Sequence, residues 1–145
     1  MRARMGIASR LIRSAAWVPL AVIALHSIAG QLFGHEPYVD PMTHFLGGTA
    51  AAFFVLQASS IASAALGTLK PAGRDLLALG ITCAAALCWE VAEFASDRVL
   101  GTNVQRSLDN TMRDLILGAV GGVVCIAVSR AIEARRARAT GSERT

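Results

Sequence analysis

Four long apolar runs constrain this sequence more than any other feature. They cover residues 14–33, 43–69, 76–94 and 107–128, with short polar connections between them. A helix of about 20 mostly apolar residues crosses a hydrocarbon core of about 30 Å, so each run is long enough to span a membrane. Charged residues make up only 17% of the chain, whereas soluble domains contain about 25%. We therefore predict an all-α protein, a polytopic membrane bundle of four transmembrane helices.

The basic residues are distributed unevenly between the two predicted membrane faces. Eleven of the 14 Lys and Arg residues lie near the termini or in the turn at 70–75, which places both termini in the cytoplasm. The prediction is a basic cytoplasmic arm over 1–13, a four-helix transmembrane domain over 14–129 and a basic cytoplasmic tail over 130–145. The tail is expected to fray. The expected location is the bacterial inner membrane. No nucleic-acid partner is expected, because the basic residues behind the net charge of +4 cluster at the termini and in one short loop.

The first apolar run allows a rival interpretation, a signal peptide with a basic start and cleavage after Gly30. The run is longer than the apolar region of a typical signal peptide, and Ile28-Ala29-Gly30 is a poor cleavage site. A transmembrane helix is the preferred interpretation.

Acidic residues collect at the opposite face, predicted to be periplasmic. Glu90, Glu93 and Asp97 follow the spacing i, i+3, i+7, so on a helix they share one face. Four alternating helices bring the start of the second span, the end of the third and the start of the fourth to the same side of the membrane. Ionisable groups in membrane segments are costly and suggest a functional site. The candidate cluster is Asp40, His44, Glu90, Glu93, Asp97, Asp109, Arg113 and Asp114.

Carboxylates with an imidazole on facing helices suit a divalent metal ion such as Mg²⁺, Mn²⁺ or Zn²⁺. Two glutamates one turn apart near a histidine also suit general acid–base catalysis. The predicted metal ligands are Asp40, His44, Glu90 and Asp114. The predicted catalytic residues are Glu90, Glu93 and His44, and the predicted substrate-binding residues are Arg106, Arg113 and Asp109.

Several of these residues also have purely structural interpretations. Asp40 before Pro41 suits a helix cap, and Asp97 and Asp109 suit solvated loop positions. Arg113 can snorkel to the interface or pair with Asp109. Glu90 and Glu93 are harder to explain in this way, because an unpaired carboxylate in lipid costs several kcal/mol, roughly. A polar network that orders the bundle without turnover would satisfy the same pattern.

The motifs of this chain resemble the YjdF-like family of bacterial inner-membrane proteins. They are Asp40-Pro-Met-Thr-His44-Phe45-Leu-Gly-Gly, Trp89-Glu90-Val-Ala-Glu93-Phe94 and Asp109-Asn-Thr111-Met-Arg-Asp114 with the glycines that follow. A more distant similarity to VanZ-like proteins rests on the same order of Asp, His-Phe, Glu and Arg106-Ser107. Both families tend to have Asp or Asn where this chain has Gly118. The resemblance implies a polytopic helical membrane protein with a polar cluster, and it implies no reaction.

Three functions fit these observations. The first is an enzyme that acts on a membrane lipid or lipid-linked substrate, in which a divalent metal activates water and Arg113 or Arg106 holds a phosphate. The second is an ion or small-solute permeation protein that works as a homo-oligomer. It needs polar residues deep in the spans, where the sequence offers no acid. The third is a structural or regulatory membrane protein whose polar network orders the bundle.

Overall fold

The structure is a computed structural model that describes residues 6–33, 39–63 and 67–142. The described chain is helical and contains no strand. Four stretches are long and apolar enough to cross a membrane, namely Ile7–Gly30, Val39–Ile61, Pro71–Leu100 and Leu108–Thr140. The prediction of an all-α bundle with four spans is therefore confirmed. The elements are α1 (Ile7–Leu11), a π-helical turn (Ile12–Ala16), α2 (Trp17–Phe33), α3 (Val39–Ile61), α4 (Pro71–Leu100) and α5 (Leu108–Ser142).

The helices extend beyond the apolar runs that predicted them. Helix α4 begins with Pro71, a residue that is well tolerated in the first turn of a helix. It ends before Gly101, whose φ of 68° is a left-handed conformation that glycine adopts without strain. Helix α5 continues to Ser142, so the tail that was expected to fray is helical as far as it is described. The alanines, arginines and glutamate of this segment favour a helix even without apolar residues. Residues 1–5 and 143–145 of the predicted arm and tail lie outside the described residues.

Helix α3 is the centre of the bundle, and it packs against α2, α4 and α5. Its approach to α5 depends on glycine. A Cβ on Gly48 would lie 1.9 Å from the carbonyl oxygen of Gly118, and a Cβ on Gly121 would lie 2.1 Å from that of Phe45. The Thr49 hydroxyl donates to the Gly121 carbonyl across the same contact, at 3.2 Å. Small residues of this kind let membrane helices approach at backbone distance.

The contact between α4 and α5 is held differently along its length. In the middle of the two helices, Gly122 packs against Thr82, where an added Cβ would come within 2.9 Å. At the predicted cytoplasmic end, Arg130 Nε lies 2.7 Å from Asp75, and Arg74 lies 2.7 Å from Glu133. These ion pairs join the first turn of α4 to α5 and help to fix the register of the two helices.

Helix α2 lies at the edge of the bundle. It packs against α3, and within the described residues its backbone makes no close contact with that of α4. A cleft therefore separates α2 from α4 along part of their length. One side-chain contact crosses the cleft, between the rings of His26 and Trp89, whose centres are 5.4 Å apart in an edge-to-face arrangement.

Candidate functional site

Four ionisable side chains are buried together near one end of the bundle. The exposed fractions are 8% for His44, 3% for Glu90, 7% for Glu93 and 0% for Asp114. They come from the first turns of α3, the second half of α4 and the first turns of α5. The structure thus brings together the residues that the topology predicted would meet, with the buried carboxylates on two helices and the imidazole between them.

On one side of His44 the carboxylates are well supplied with donors. His44 Nε2 lies 3.4 Å from Asp40 Oδ1. The Asn110 amide donates to Asp114 and, at 3.5 Å, to Asp40. Arg113 Nε donates to Asp114 at 3.2 Å. Arg113 Nη2 donates to the Asn110 oxygen at 2.8 Å and lies 3.9 Å from Asp40. The charges of Asp40 and Asp114 are therefore shared with a guanidinium and an amide.

On the other side of His44 the Glu90 carboxylate lacks such support. His44 Nδ1 lies 3.6 Å from Glu90 Oε1, which is too long for a hydrogen bond. Both Glu90 oxygens are buried, and within the described residues neither has a hydrogen-bond partner at normal geometry. The Gln105 and Thr111 side chains approach the carboxylate without meeting that geometry. Leaving a buried charged group unpaired is costly, so this carboxylate is the strongest sign of an interaction with something beyond the chain.

Glu93 is supported by an aromatic side chain that also closes the cleft. Trp89 Nε1 donates to Glu93 Oε1 at 2.7 Å, and the Trp89 ring contacts His26. His26 Nδ1 in turn lies 3.1 Å from the Thr43 hydroxyl, which donates to the Asp40 carbonyl at 2.8 Å. Through these contacts the first span joins the cluster, so all four spans contribute to it.

Two groups of side chains in this cluster have the spacing of metal ligands. In each group, one potential ligand atom from every residue lies within 4.8 Å of the others. The first group is Asp40, His44 and Asp114, and the second is His44, Glu90 and Glu93. Arg113 and Asn110 already occupy oxygens of the first group. In the second group, Trp89 donates to Glu93, and Gln105 and Thr111 approach Glu90 only loosely. With no Lys or Arg side chain in ion-pair contact with Glu90 or Glu93 among the described residues, the second group is better suited to a cation.

A layer of small residues lies one helical turn deeper than the cluster. Gly48 meets Gly118 at backbone distance, and a Cβ on Gly118 would lie 3.2 Å from Ala86 Cβ. Each of these three residues lies four positions from a cluster residue on its own helix, which is about one turn. The corresponding cluster residues are His44, Asp114 and Glu90.

Three residues of the predicted cluster or substrate site lie apart from it. Asp97 accepts hydrogen bonds from the Thr102 hydroxyl at 2.6 Å and from the Val104 and Gln105 amides at 2.9 Å. It therefore shapes the loop between α4 and α5, which is a structural role. Arg106 and Asp109 are exposed on that loop and on the first turn of α5.

Sequence reasoning missed part of the site. Asn110 is not among the predicted site residues although it has the spacing i, i+4 to Asp114, because an amide carries no charge. Trp89 is not among them either, although it stands four residues before Glu93, which is the spacing that allows its indole to donate to that carboxylate. No sequence pattern predicts the contact between His26 and Thr43, because the two residues lie on different helices.

The comparisons with known proteins agree with this architecture. A family described as "Predicted membrane protein (DUF2238)" matches residues 6–135. An uncharacterized protein of Thermotoga maritima is 31% identical over 103 residues, which are 68% of this chain and 53% of that protein. The chain thus spans about half the length of this relative. No solved structure matches.

The family match covers most of the chain, and it includes every residue of the buried cluster. The YjdF-like proteins form the same family, whereas the similarity to VanZ-like proteins stays a prediction. The chain belongs to the DUF2238 family of predicted membrane proteins.

Proposed function

We propose that the polar cluster binds a divalent metal ion, and that the protein is an enzyme that hydrolyses the phosphate of a lipid or lipid-linked substrate. The site would face the periplasm from the bacterial inner membrane, with both termini in the cytoplasm, as the basic residues predict. The observation that carries the proposal is Glu90, a buried carboxylate that makes no hydrogen bond of normal geometry among the described residues.

The charge of the cluster supports a cation. Four carboxylates, those of Asp40, Glu90, Glu93 and Asp114, surround one imidazole, and Arg113 is the guanidinium that contacts two of them. A divalent ion beside Glu90 and Glu93 would compensate the remaining negative charge where lipid and protein offer little solvation. Carboxylate and imidazole ligands suit Mn²⁺ and Zn²⁺.

The arrangement around His44 is consistent with this ligand set. His44 faces Glu90 with Nδ1 and Asp40 with Nε2. A metal-bound histidine commonly directs its other ring nitrogen to a carboxylate that fixes its orientation. In our proposal His44, Glu90 and Glu93 are the ligands. Asp40 orients the imidazole, and Asp114 is part of the support around Asp40.

The reaction follows from the ion and the basic residues at the mouth of the site. An ion held by His44, Glu90 and Glu93 would lower the pKa of a water molecule and polarise a phosphoryl oxygen. A carboxylate of the cluster would take a proton from the water as the water oxygen bonds to phosphorus. That proton would then pass to the lipid oxygen whose bond to phosphorus breaks. The Arg113 side chain is 46% exposed, so it can contact a phosphate while it remains beside Asp114. Arg106 and Asp109 lie exposed at the same end and are proposed to contact the headgroup.

The competing function is a structural network that orders the bundle and catalyses no reaction. The contacts of Asn110 and Arg113 with both Asp40 and Asp114 favour it. Permeation has less support. The hydroxyls of Thr49, Ser59 and Ser60 donate to carbonyls of their own helix, so they are engaged along α3 and do not form a polar path.

Manganese binding by the purified protein in lipid nanodiscs, followed by electron paramagnetic resonance, tests the metal site. We expect tight binding in the wild type and a loss of affinity of about tenfold or more in Glu90→Gln. Glu133→Gln is the matched control, because it makes the same change at the opposite end of the bundle and should bind like wild type. Equal binding by all three proteins, or none by the wild type, would refute the metal site.

Phosphate release from phosphatidic acid and from a polyprenyl diphosphate tests the reaction. The structural alternative predicts no release and a lower melting temperature in Glu90→Gln that does not depend on added manganese. A protein that binds manganese at the cluster and yet releases phosphate from neither substrate would rule out the hydrolytic function.

A further inference from the structure

A cavity of about 190 Å³ lies between α2, α3 and α4, directly beside the polar cluster. Most of its wall is apolar and built from small side chains such as Gly47, Ala51 and Ala85. At its outer end the lining is polar, with His26 and His44 among the lining residues. The cavity therefore reaches the polar cluster at His44, one of the three proposed metal ligands.

The cavity is open on one side. The backbones of α2 and α4 do not meet within the described residues, so the cleft between them would face lipid in a membrane. The ring contact of His26 with Trp89 closes the cleft at its outer end. From Pro19 to His26 the α2 wall extends for about 10 Å along the helix axis. A molecule that enters sideways would thus lie along the membrane normal below this ring contact.

Two adjacent glycines on α3 show that the space is not a by-product of helix packing. Gly48 is required by the contact with Gly118, where a Cβ would clash. A Cβ on Gly47 would meet nothing within 4 Å, and yet glycine inside a helix is less stable than alanine by roughly 0.5–1 kcal/mol. No packing contact accounts for glycine at position 47. Its missing side chain instead leaves the cavity wide.

We infer that the cavity holds one acyl chain of an anionic membrane glycerophospholipid whose phosphate lies at the polar cluster. This inference rests on the proposed function and names its substrate class. The cavity has the volume for a segment of one chain, since an apolar cavity of about 150 Å³ already accommodates a benzene molecule. Phospholipid chains are what surrounds the cleft at this depth. Arg113, half exposed at the outer end, supplies the positive charge that an anionic phosphate requires.

A phosphatidylglycerol with a photoactivatable diazirine in one acyl chain tests the inference in nanodiscs that contain the full-length protein. We expect wild-type protein to be labelled on peptides that contain Gly47, Ala51 or Ala85. Gly47→Leu should fill the cavity without a clash and lower this labelling about tenfold, because excluding two methylene groups of the chain weakens binding by about that factor. Ala85→Leu narrows the opposite wall and should act in the same direction.

Gly80→Leu is the matched control, because Gly80 is exposed in the middle of α4 and an added Cβ there meets nothing within 4 Å. It should be labelled like wild type. Labelling that stays unchanged in both Gly47→Leu and Ala85→Leu overturns the inference. The inference is also overturned if a polyprenyl phosphate displaces the labelled lipid far more effectively than unlabelled phosphatidylglycerol does.

Manganese binding by the same variants separates this inference from the proposed function. Gly47→Leu with normal manganese affinity and lost labelling supports the chain site and shows that the protein is folded. Wild-type protein that is labelled in the cavity but binds no manganese refutes the metal site alone. Wild-type protein that binds manganese without labelling in the cavity refutes the chain site alone.

Discussion

The adjacent glycines of α3 should respond to the same substitution in opposite directions. In Gly48→Ala the new methyl group would lie 1.9 Å from the Gly118 oxygen and 2.6 Å from its carbonyl carbon. Ordinary contact requires roughly 3.5 Å, so α3 and α5 must separate by about 1.5 Å. Both clashing atoms belong to the backbone of a helix and cannot rotate away. In Gly47→Ala the methyl group enters open space.

The magnitudes follow from these two geometries. Overpacking that forces backbone shifts costs about 1–3 kcal/mol, occasionally more, and we expect Gly48→Ala to lower the free energy of unfolding by about 3 kcal/mol because the contact is with backbone. Gly47→Ala should raise it by about 0.5–1 kcal/mol, since alanine restricts the unfolded chain and favours the helix. The helix preference is the same at both sites, so the difference between the two variants isolates the contact of α3 with α5.

Unfolding in mixed micelles of mild detergent and dodecyl sulfate, followed by circular dichroism, measures both free energies. The control is the double variant Gly47→Ala/Gly48→Ala, whose stability should equal the sum of the two effects if the sites act independently. If Gly48→Ala is as stable as wild type, or if Gly47→Ala loses as much stability as Gly48→Ala, then the close approach of α3 and α5 is refuted.

Three further predictions address the contacts around the site and at the opposite end of the bundle. Trp89→Phe removes the donor to the buried Glu93 carboxylate and should destabilise the protein by about 1–3 kcal/mol. The control Trp17→Phe changes a side chain that is 59% exposed and should melt like wild type. Equal melting temperatures of the two variants would contradict the indole hydrogen bond. Asp97→Ala removes the acceptor for the Val104 and Gln105 amides, so their hydrogen exchange should accelerate while that of α3 stays unchanged. Arg130→Gln breaks the ion pair with Asp75 and should lower the melting temperature more at low salt than at high salt. Arg135 is exposed, and an equal drop in melting temperature in Arg135→Gln would count against a specific pair.

The sequence predicts the spans and the meeting of the acids because both depend on features that are local to each run. Hydropathy identifies the four spans, and alternation alone places Asp40, Glu90 and Asp114 at one face. The end of α5 could not be found in this way, because the basic segment after Arg130 leaves the apolar pattern but keeps strong helix formers. The role of Asp97 was also hidden, since its partners are backbone amides that any residue supplies.

The glycines and the ionisable residues of these motifs belong to one arrangement. The layer of Gly48, Gly118 and Ala86 brings three helices close together. Because the cluster lies one turn further out on the same helices, the spacing of that layer also sets the distance across the cluster, from α3 to α4 and α5. Larger side chains in the layer would move the His44 imidazole away from both carboxylate groups. A glycine at position 118 in place of a further acid is thus compatible with a complete site, since the residue at that position spaces the helices and the ligands come from the turn beyond it.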